Sequence, residues 1–341
     1  MRFGPVPLDE ATGKILGHNV TREDGRRLFR KGKPLTEEDV EQLRRAGRET
    51  VYVAELEPGD VDEDSAAGRI ARRLLGDGLR LSGPSTGRAN LYATCLGIVR
   101  VDIDRLLQLN RFDGVTLATV QHNAVVNEGK MVATLKILPY AIPQETVVAA
   151  EEICSNGSGL LRLDPLAERT VSLILSGSVS SRDRVVRSFE SALQQRLEAL
   201  GSSLANVHFV PLNEQSDERR LAQKISEEVA SDVDLIILAG ETAIMDRHDI
   251  APRAVEQAGG EVTTFGAPVD PGNLLMLAYV GQTPVLGAPG CARSPKDNII
   301  DLVLPRLLIG DHLGHEDIVA FGHGGLLEDV PERPAPRSQL A

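Results

Sequence analysis

Three loops in the second half of the chain hold the residues best suited to chemistry. In the first, the apolar run at 171–175 passes into Ser176, Gly177 and Ser178, then Ser180, Ser181, Arg182 and Arg184. Small hydroxylated residues ahead of a helix leave backbone N–H groups open, and a helix N-terminus favours an anion. The loop fits a phosphate with an arginine as counter-ion, and it fits an ordinary capped helix start equally. In the second, LIILAG ends at Ala239-Gly240 and is followed by Glu241, Thr242, Asp246 and Asp249. Glycine lets the backbone approach a ligand closely. Thr242 offers a hydroxyl to a phosphate, and Asp249 or Asp246 offers a carboxylate to a magnesium ion. Asp249 also stands where a helix N-cap belongs, and the two roles are compatible. The third is a pair of turns: Pro271-Gly272-Asn273 before an apolar strand and Pro289-Gly290-Cys291 after one. Ser294 follows as the expected start of a helix running to Leu308. Pro-Gly pairs mark turns in proteins of every kind, so the information lies in their order and spacing.

The elements around these loops alternate. Strands are expected at 171–175, 207–211, 235–239 and 262–265, and two more surround the turn in LLMLAYVGQTPVLGAPG. Helices are expected at 184–200, 218–229, from near 249, and at 294–308. Apolar strands separated by helices predict a mainly parallel sheet covered on both faces. In such sheets ligands bind beyond the carboxyl ends of the strands. The expected fold class is therefore α/β, a three-layer αβα domain over 166–325. A β-rich α+β region over 1–165, of one or two subdomains, precedes it, and a Pro-rich flexible tail follows at 326–341.

Within the first region, Thr36 and Asp39 form a capping box, and Val40, Leu43 and Ala46 share one helical face. Gly47 can close that helix in a left-handed conformation, and a strand follows at 50–53. The polar stretch GDVDEDSAAG is expected to lead into a second helix near 69–75. Residues 80–140 suggest short strands and turns, with Gly87-Arg88-Ala89-Asn90 read as one turn. VNEGKMVATLKILPY predicts two strands around 127–129. It resembles the turn of small lipoyl-bearing β-sandwich modules, but Lys130 is not in their acceptor motif and reads as a solvated lysine. ETVVAAEEIC predicts a helix, with SNGSG as a Gly/Ser linker.

Composition bounds the function. Hydrophobic content of 42% and charged content of 25% are those of an ordinary globular protein. With 3% aromatics and no Trp, the core must come from Leu, Val, Ile and Ala. A net charge of -12 argues against broad nucleic-acid binding, which needs a cationic surface. Cys95, Cys154 and Cys291 form no CxxC pair, which fits a reducing cytoplasm. The N-terminus has no apolar signal-like segment, and no apolar run has bilayer-spanning length. His312, His315 and His323, with Glu316 and Asp317, read as solvated residues rather than a metal site. Cys291 reads as a packed turn residue rather than a nucleophile, and His248 as exposed rather than a general base.

The order strand–Gly–Thr–Asp, then Pro-Gly before a strand, then a strand ending in x-Pro-Gly-x, resembles the molybdopterin-binding domain. Molybdopterin adenylyltransferase, molybdopterin molybdenumtransferase and gephyrin share that domain. Its GG-T/S loop with a following Asp matches Gly240-Glu241-Thr242 with Asp249, or with Asp246. Its PGKP-like turn matches Pro271-Gly272-Asn273, and its LPGNP-like loop matches Ala288-Pro289-Gly290-Cys291. The likeness covers roughly 170–310, and it departs where Asn273 replaces the lysine and Cys291 the asparagine. KGKPLTEEDVEQLRRAGRETVYV resembles the segment ahead of the binding domain in molybdenumtransferases. The whole chain resembles the N-terminal part of longer bacterial proteins that end in a molybdenum cofactor cytidylyltransferase, whose LAAGxSxRMG loop does not occur here. The resemblance implies a homo-oligomer that binds molybdopterin or the molybdenum cofactor during its biosynthesis or maturation. It leaves open an enzyme of adenylyl transfer or molybdate insertion. It also leaves open a non-catalytic carrier or regulatory subunit serving a separate cytidylyltransferase or cofactor chaperone. Ser176, Gly177, Ser178 and Ser294 would then hold the phosphate and pterin with the loops above.

Overall fold

Thr36 shows how local chemistry places an element. Its hydroxyl accepts the Asp39 N–H at 3.2 Å, and the Asp39 carboxylate accepts the Thr36 N–H at 3.0 Å, which fixes the start of the helix Glu37–Arg45. Val40 and Leu43 bury against Val51 and Val53 of the strand Thr50–Glu55. Gly47, at φ 73°, makes the left-handed exit. In this computed structural model, residues 1–155, 159–212 and 217–327 are described. Part of the expected Gly/Ser linker and most of the expected Pro-rich tail lie outside them. The chain divides into two units, Met1–Asp164 and Pro165–Ala341.

The first unit is β-rich, with several small sheets and short helices, and it departs from expectation in three places. Asp60–Asp62 make a short strand and the second helix spans Glu63–Leu74, so Glu63 and Asp64 of the polar stretch form its first turn rather than a lead-in. The Asp62 carboxylate caps it by accepting the Asp64 and Ser65 N–H groups, and the helix dipole favours acids there. A helix at Ile103–Leu109, capped by Asp102, occupies part of the expected strand-and-turn region. The two strands expected around 127–129 are present as Val125–Val126 and Met131–Ile137, each in a different sheet. Arg88 opens the strand Arg88–Ala93 rather than lying in a turn, and its guanidinium donates to Thr134 Oγ1 at 3.1 Å.

The second unit carries the strand–helix alternation. Its strands are β1 (Thr170–Gly177), β2 (Ser203–Pro211), β3 (Leu235–Gly240), β4 (Glu261–Phe265), β5 (Met276–Val280) and β6 (Thr283–Gly287). Its helices are α1 (Arg182–Ala199), α2 (Asp217–Ala230), α3 (Ile250–Gln257), α4 (Ile299–Leu308) and the short α5 (His315–Val319). The strands make one sheet in the order β2-β1-β3-β6-β5-β4. The pairings β1/β2, β1/β3 and β3/β6 are parallel, while β5 runs antiparallel to both β6 and β4. The sheet is thus mixed and mostly parallel.

Period-2 alternation sends side chains to two cores. Leu173, Leu175 and Ile237 pack with Phe189 and Leu193 of α1 and with Val303 and Leu304 of α4. Ile174, Ile236 and Leu238 pack on the other face with Leu221 and Ile225 of α2 and with Val255 of α3. Each such side chain, fully buried, contributes roughly 1.5–3 kcal/mol. Burial on both faces explains the uninterrupted apolar run LIILA. No helix among the described residues is long and apolar enough to cross a membrane.

One helix start was misplaced by the sequence reading. Ser294 does not begin α4: Pro295 follows it, and a residue before proline is pushed out of the helical region, here to ψ 143°. Ser294 Oγ instead accepts the Lys296 N–H at 3.1 Å. The start is set by Asn298, whose side chain accepts the Ile300 N–H while Asp301 accepts the Asn298 N–H.

Candidate functional site

Sheet register places the three loops at one end. Ser176 lies opposite Gly240, and Leu238 opposite Gly287, so β1, β3 and β6 end side by side. Met276 faces both Gly287 and Phe265, which brings the exit of β4 and the turn at 271–273 to that same end. The opposite end carries an ion pair, Arg169 with Asp234 at 2.8 Å, that ties β1 to the entry of β3.

The first group of residues surrounds a cleft. Ser176, Ala239, Gly240, Thr242, Asp249 and Ala288 all line it. It is narrow, with about 40 Å³ of interior space, well below that of a usual small-molecule pocket, so a ligand of ordinary size would lie across its mouth. Gly240 is required by close approach: a Cβ there would sit 2.8 Å from Ser176 Oγ and 3.1 Å from the Ser176 carbonyl oxygen. Thr242 is exposed beside it.

The expected phosphate cradle already holds an anion of the chain's own. The Glu241 carboxylate accepts the Ser178 N–H at 2.9 Å and the Ser178 hydroxyl at 2.8 Å, and pairs with the Arg184 guanidinium at 2.8 Å. The Ser178 N–H above all, then the hydroxyls of Ser178 and Ser181, hold this carboxyl down to about 2. Gly177 makes room: a Cβ on it would meet Glu241 Cβ at 2.8 Å. The donors of the first loop thus behave as an anion site, with a residue of the second loop as occupant.

The two aspartates separate. Asp249 caps α3 by accepting the Ile250 N–H at 2.8 Å with one oxygen, and its other oxygen accepts the Met245 N–H at 3.1 Å. Asp246 is exposed, does not line the cleft, and accepts the His248 N–H and Nδ1, each at 2.8 Å. The His248 N–H, chiefly, lowers its carboxyl below the usual range. A magnesium ion at the cleft would find one carboxylate, Asp249, and the hydroxyls of Ser176 and Thr242. That set suits an ion that keeps most of its waters and binds a ligand phosphate.

The second group packs at the start of α4. The Pro271 carbonyl accepts the Ile299 N–H at 3.2 Å, and Gly272 lies so close that a Cβ would fall 2.4 Å from Ile299 Cγ2. Asn273 is exposed, and its backbone carbonyl accepts the Ala267 N–H at 2.9 Å. Pro289 caps the 3-10 turn Gly290–Arg293. The Cys291 carbonyl accepts the Ser294 N–H at 2.9 Å, and burial pushes its thiol up, away from the thiolate a nucleophile needs. His312 stacks on Tyr279 at 4.1 Å, and His315 Nδ1 lies 3.3 Å from Thr264 Oγ1. Among the described residues no three His, Cys, Asp or Glu side chains are placed to hold a metal ion.

Two arginines escaped the sequence reading. Arg196 of α1 donates to the carbonyls of Ala292, Ser294 and Lys296 and pairs with Asp301 at 2.8 Å, which clamps the loop between β6 and α4. Arg293 lays its guanidinium 4.8 Å from the Phe189 ring centre, and its Nε is buried without a hydrogen-bond partner among the described residues. The available signal was an arginine inside an otherwise apolar helix stripe, and a cation within a Pro/Gly loop.

Comparison with known proteins gives few relatives by sequence. No curated protein matches the chain. A family model described as a domain of unknown function (DUF8806) matches residues 5–55. Similar solved structures include a molybdopterin biosynthesis MoeA protein from Pyrococcus horikosii, at 14% identity over 90% of this chain and 75% of that one, TM-score 0.30. A molybdenum cofactor biosynthesis protein from Pyrococcus furiosus is 13% identical over 94% of this chain and 65% of its own, TM-score 0.24. A molybdopterin biosynthesis protein from Mycobacterium abscessus is 15% identical over 41% of this chain and 91% of its own, TM-score 0.28. Identities and scores this low carry no activity from those proteins to this one.

Proposed function

We propose that the second unit binds molybdopterin or the molybdenum cofactor during cofactor biosynthesis or maturation, at the carboxyl end of its sheet. The supporting observation is that the loops at 176–178, 240–249, 271–273 and 288–291, in the order of the molybdopterin-binding domain, meet at that end. Thr242 and the backbone around Gly240 would hold the ligand across the cleft mouth. Asp249 would orient the pterin amino group, or hold a magnesium ion through its remaining lone pairs. The ligand phosphate would take the Ser178 and Arg184 donors from Glu241, one anion replacing another.

Binding without group transfer is the favoured form of this reading, because Asn273 stands where the resemblance expects a lysine. The chain would then hand its ligand to a separate cytidylyltransferase or cofactor chaperone. Adenylyl transfer or molybdate insertion at the same site is the alternative, and the Asp249 carboxylate at the cleft favours it. Calorimetric titration with molybdopterin, beside incubation with molybdopterin, ATP and magnesium, tests both. Binding that Thr242→Val weakens, with no multiple-turnover adenylation, is expected. Absence of binding refutes the reading, and rapid turnover replaces the carrier with an enzyme.

A further inference from the structure

The two edges of the six-stranded sheet are built differently. At one, β4 is five residues long and opens with the charged Glu261, and Arg247 donates to its Val262 carbonyl at 3.4 Å. At the other, β2 runs for nine residues and, among the described residues, pairs only with β1. Its sequence, SLANVHFVP, contains no Lys, Arg, Asp or Glu. Exposed edges present a row of unpaired N–H and C=O groups, and proteins blunt them with charge, shortness, bulges or proline. Here the register shifts near the start of the strand and Pro211 closes it, which leaves 206–210 as a regular edge whose polar side chains, Asn206 and His208, contact Glu228 of α2 at 3.0 and 2.7 Å.

Beside this edge lies an open groove of about 620 Å³ between β2 and α1. Val186, Val207 and Phe209 give it an apolar floor, and Arg182 and Glu190 stand two helical turns apart on its rim. Neither of those two forms an ion pair among the described residues. A two-fold axis near Val186 would reverse the helix of a second copy and set Arg182 opposite the partner's Glu190, with Asp183 and Arg187 lying between the two pairs. The rim is therefore complementary to itself under the symmetry that most homodimers use.

We propose that β2 pairs antiparallel with β2 of a second copy of this chain, so that one sheet continues across two subunits. Main-chain hydrogen bonds supply the attachment. The rim charges fix orientation and register more than affinity. This inference is independent of what the cleft binds.

Sedimentation of the full chain over a micromolar concentration series tests it, with hydrogen exchange on the same samples. A dimer is expected, with amides of 206–210 exchanging more slowly as the dimer fills. Arg182→Glu sets like charges opposite each other and should weaken the dimer about tenfold. Acids are well tolerated at a helix start, so folding survives this change. Arg182→Glu with Glu190→Arg restores the pairs and should restore the dimer. A protein that stays monomeric throughout overturns the proposal. So does a dimer that ignores Arg182→Glu while its 206–210 amides exchange as they do in the monomer.

Discussion

Asp249 gives the sharpest test, because the structure uses both of its carboxylate oxygens. One accepts the Ile250 N–H at 2.8 Å as helix cap, and the other accepts the Met245 N–H at 3.1 Å and closes the loop. For a plain N-cap, asparagine is as good as aspartate. Here it is not, since an Asn amide has one acceptor oxygen and its NH₂ would confront the second N–H. Asp249→Asn should keep the cap and forfeit the loop bond, at about 0.5–1.5 kcal/mol. Asp249→Ala should forfeit both, at about 1–3 kcal/mol. For a unit of this size a kilocalorie shifts Tm by about 2–4 °C, so melts of the two variants should fall in the order wild type, Asn, Ala. Titration with molybdopterin then separates folding from binding. If the ligand relies on the carboxylate charge, Asp249→Asn lowers affinity by about one to two orders of magnitude. An Asn variant as stable as wild type would refute the two-oxygen account. Unchanged affinity would remove Asp249 from the ligand site.

Further outcomes are expected. The Glu241 carboxyl, held near 2 against an ordinary 4.5, gives stability that is complete above about pH 4.5 and lost as pH falls toward 2. Glu241→Gln should therefore melt below wild type at pH 7, with the gap closing near pH 2 in circular dichroism melts. Gly272→Ala puts a Cβ 2.4 Å from Ile299 Cγ2 at φ 141° and should cost about 2–4 kcal/mol in urea unfolding. A loss below about 0.5 kcal/mol would show that the turn yields easily. Arg196→Met takes the cation from Asp301 and the donors from three carbonyls. It should cost about 2–4 kcal/mol and expose 290–298 to limited proteolysis.

Much of the second unit was legible because its signals are local. Each strand is an apolar run between turn residues, and Asp249 caps a helix from the adjacent position. Ser294 misled because the proline after it overrides a favourable cap residue. The helix Ile103–Leu109 escaped notice because it is only seven residues long and Ile103 and Leu107 are exposed, so its apolar periodicity does not report burial. Glu241 was read as a ligand-binding residue, and its partner Ser178 lies 63 positions away. Arg196 meets Ser294 across 98 positions. A cap can be read from neighbours in sequence, but a clamp between two loops needs the sheet that brings them together.

If a ligand phosphate takes the Ser178 donors as proposed, the Glu241 carboxylate already there sets a threshold on what can enter. A group tethered by a short segment competes as if present at an effective concentration on the order of millimolar or above. Free phosphate or sulfate brings nothing but its charge to that contest, and it meets a rival that never diffuses away. A ligand with a second foothold across the cleft mouth gains binding energy that the bare ion lacks and can spend part of it on the exchange. On that proposal the internal carboxylate would convert a site that any small anion would fill into one that opens only to a ligand held at two points.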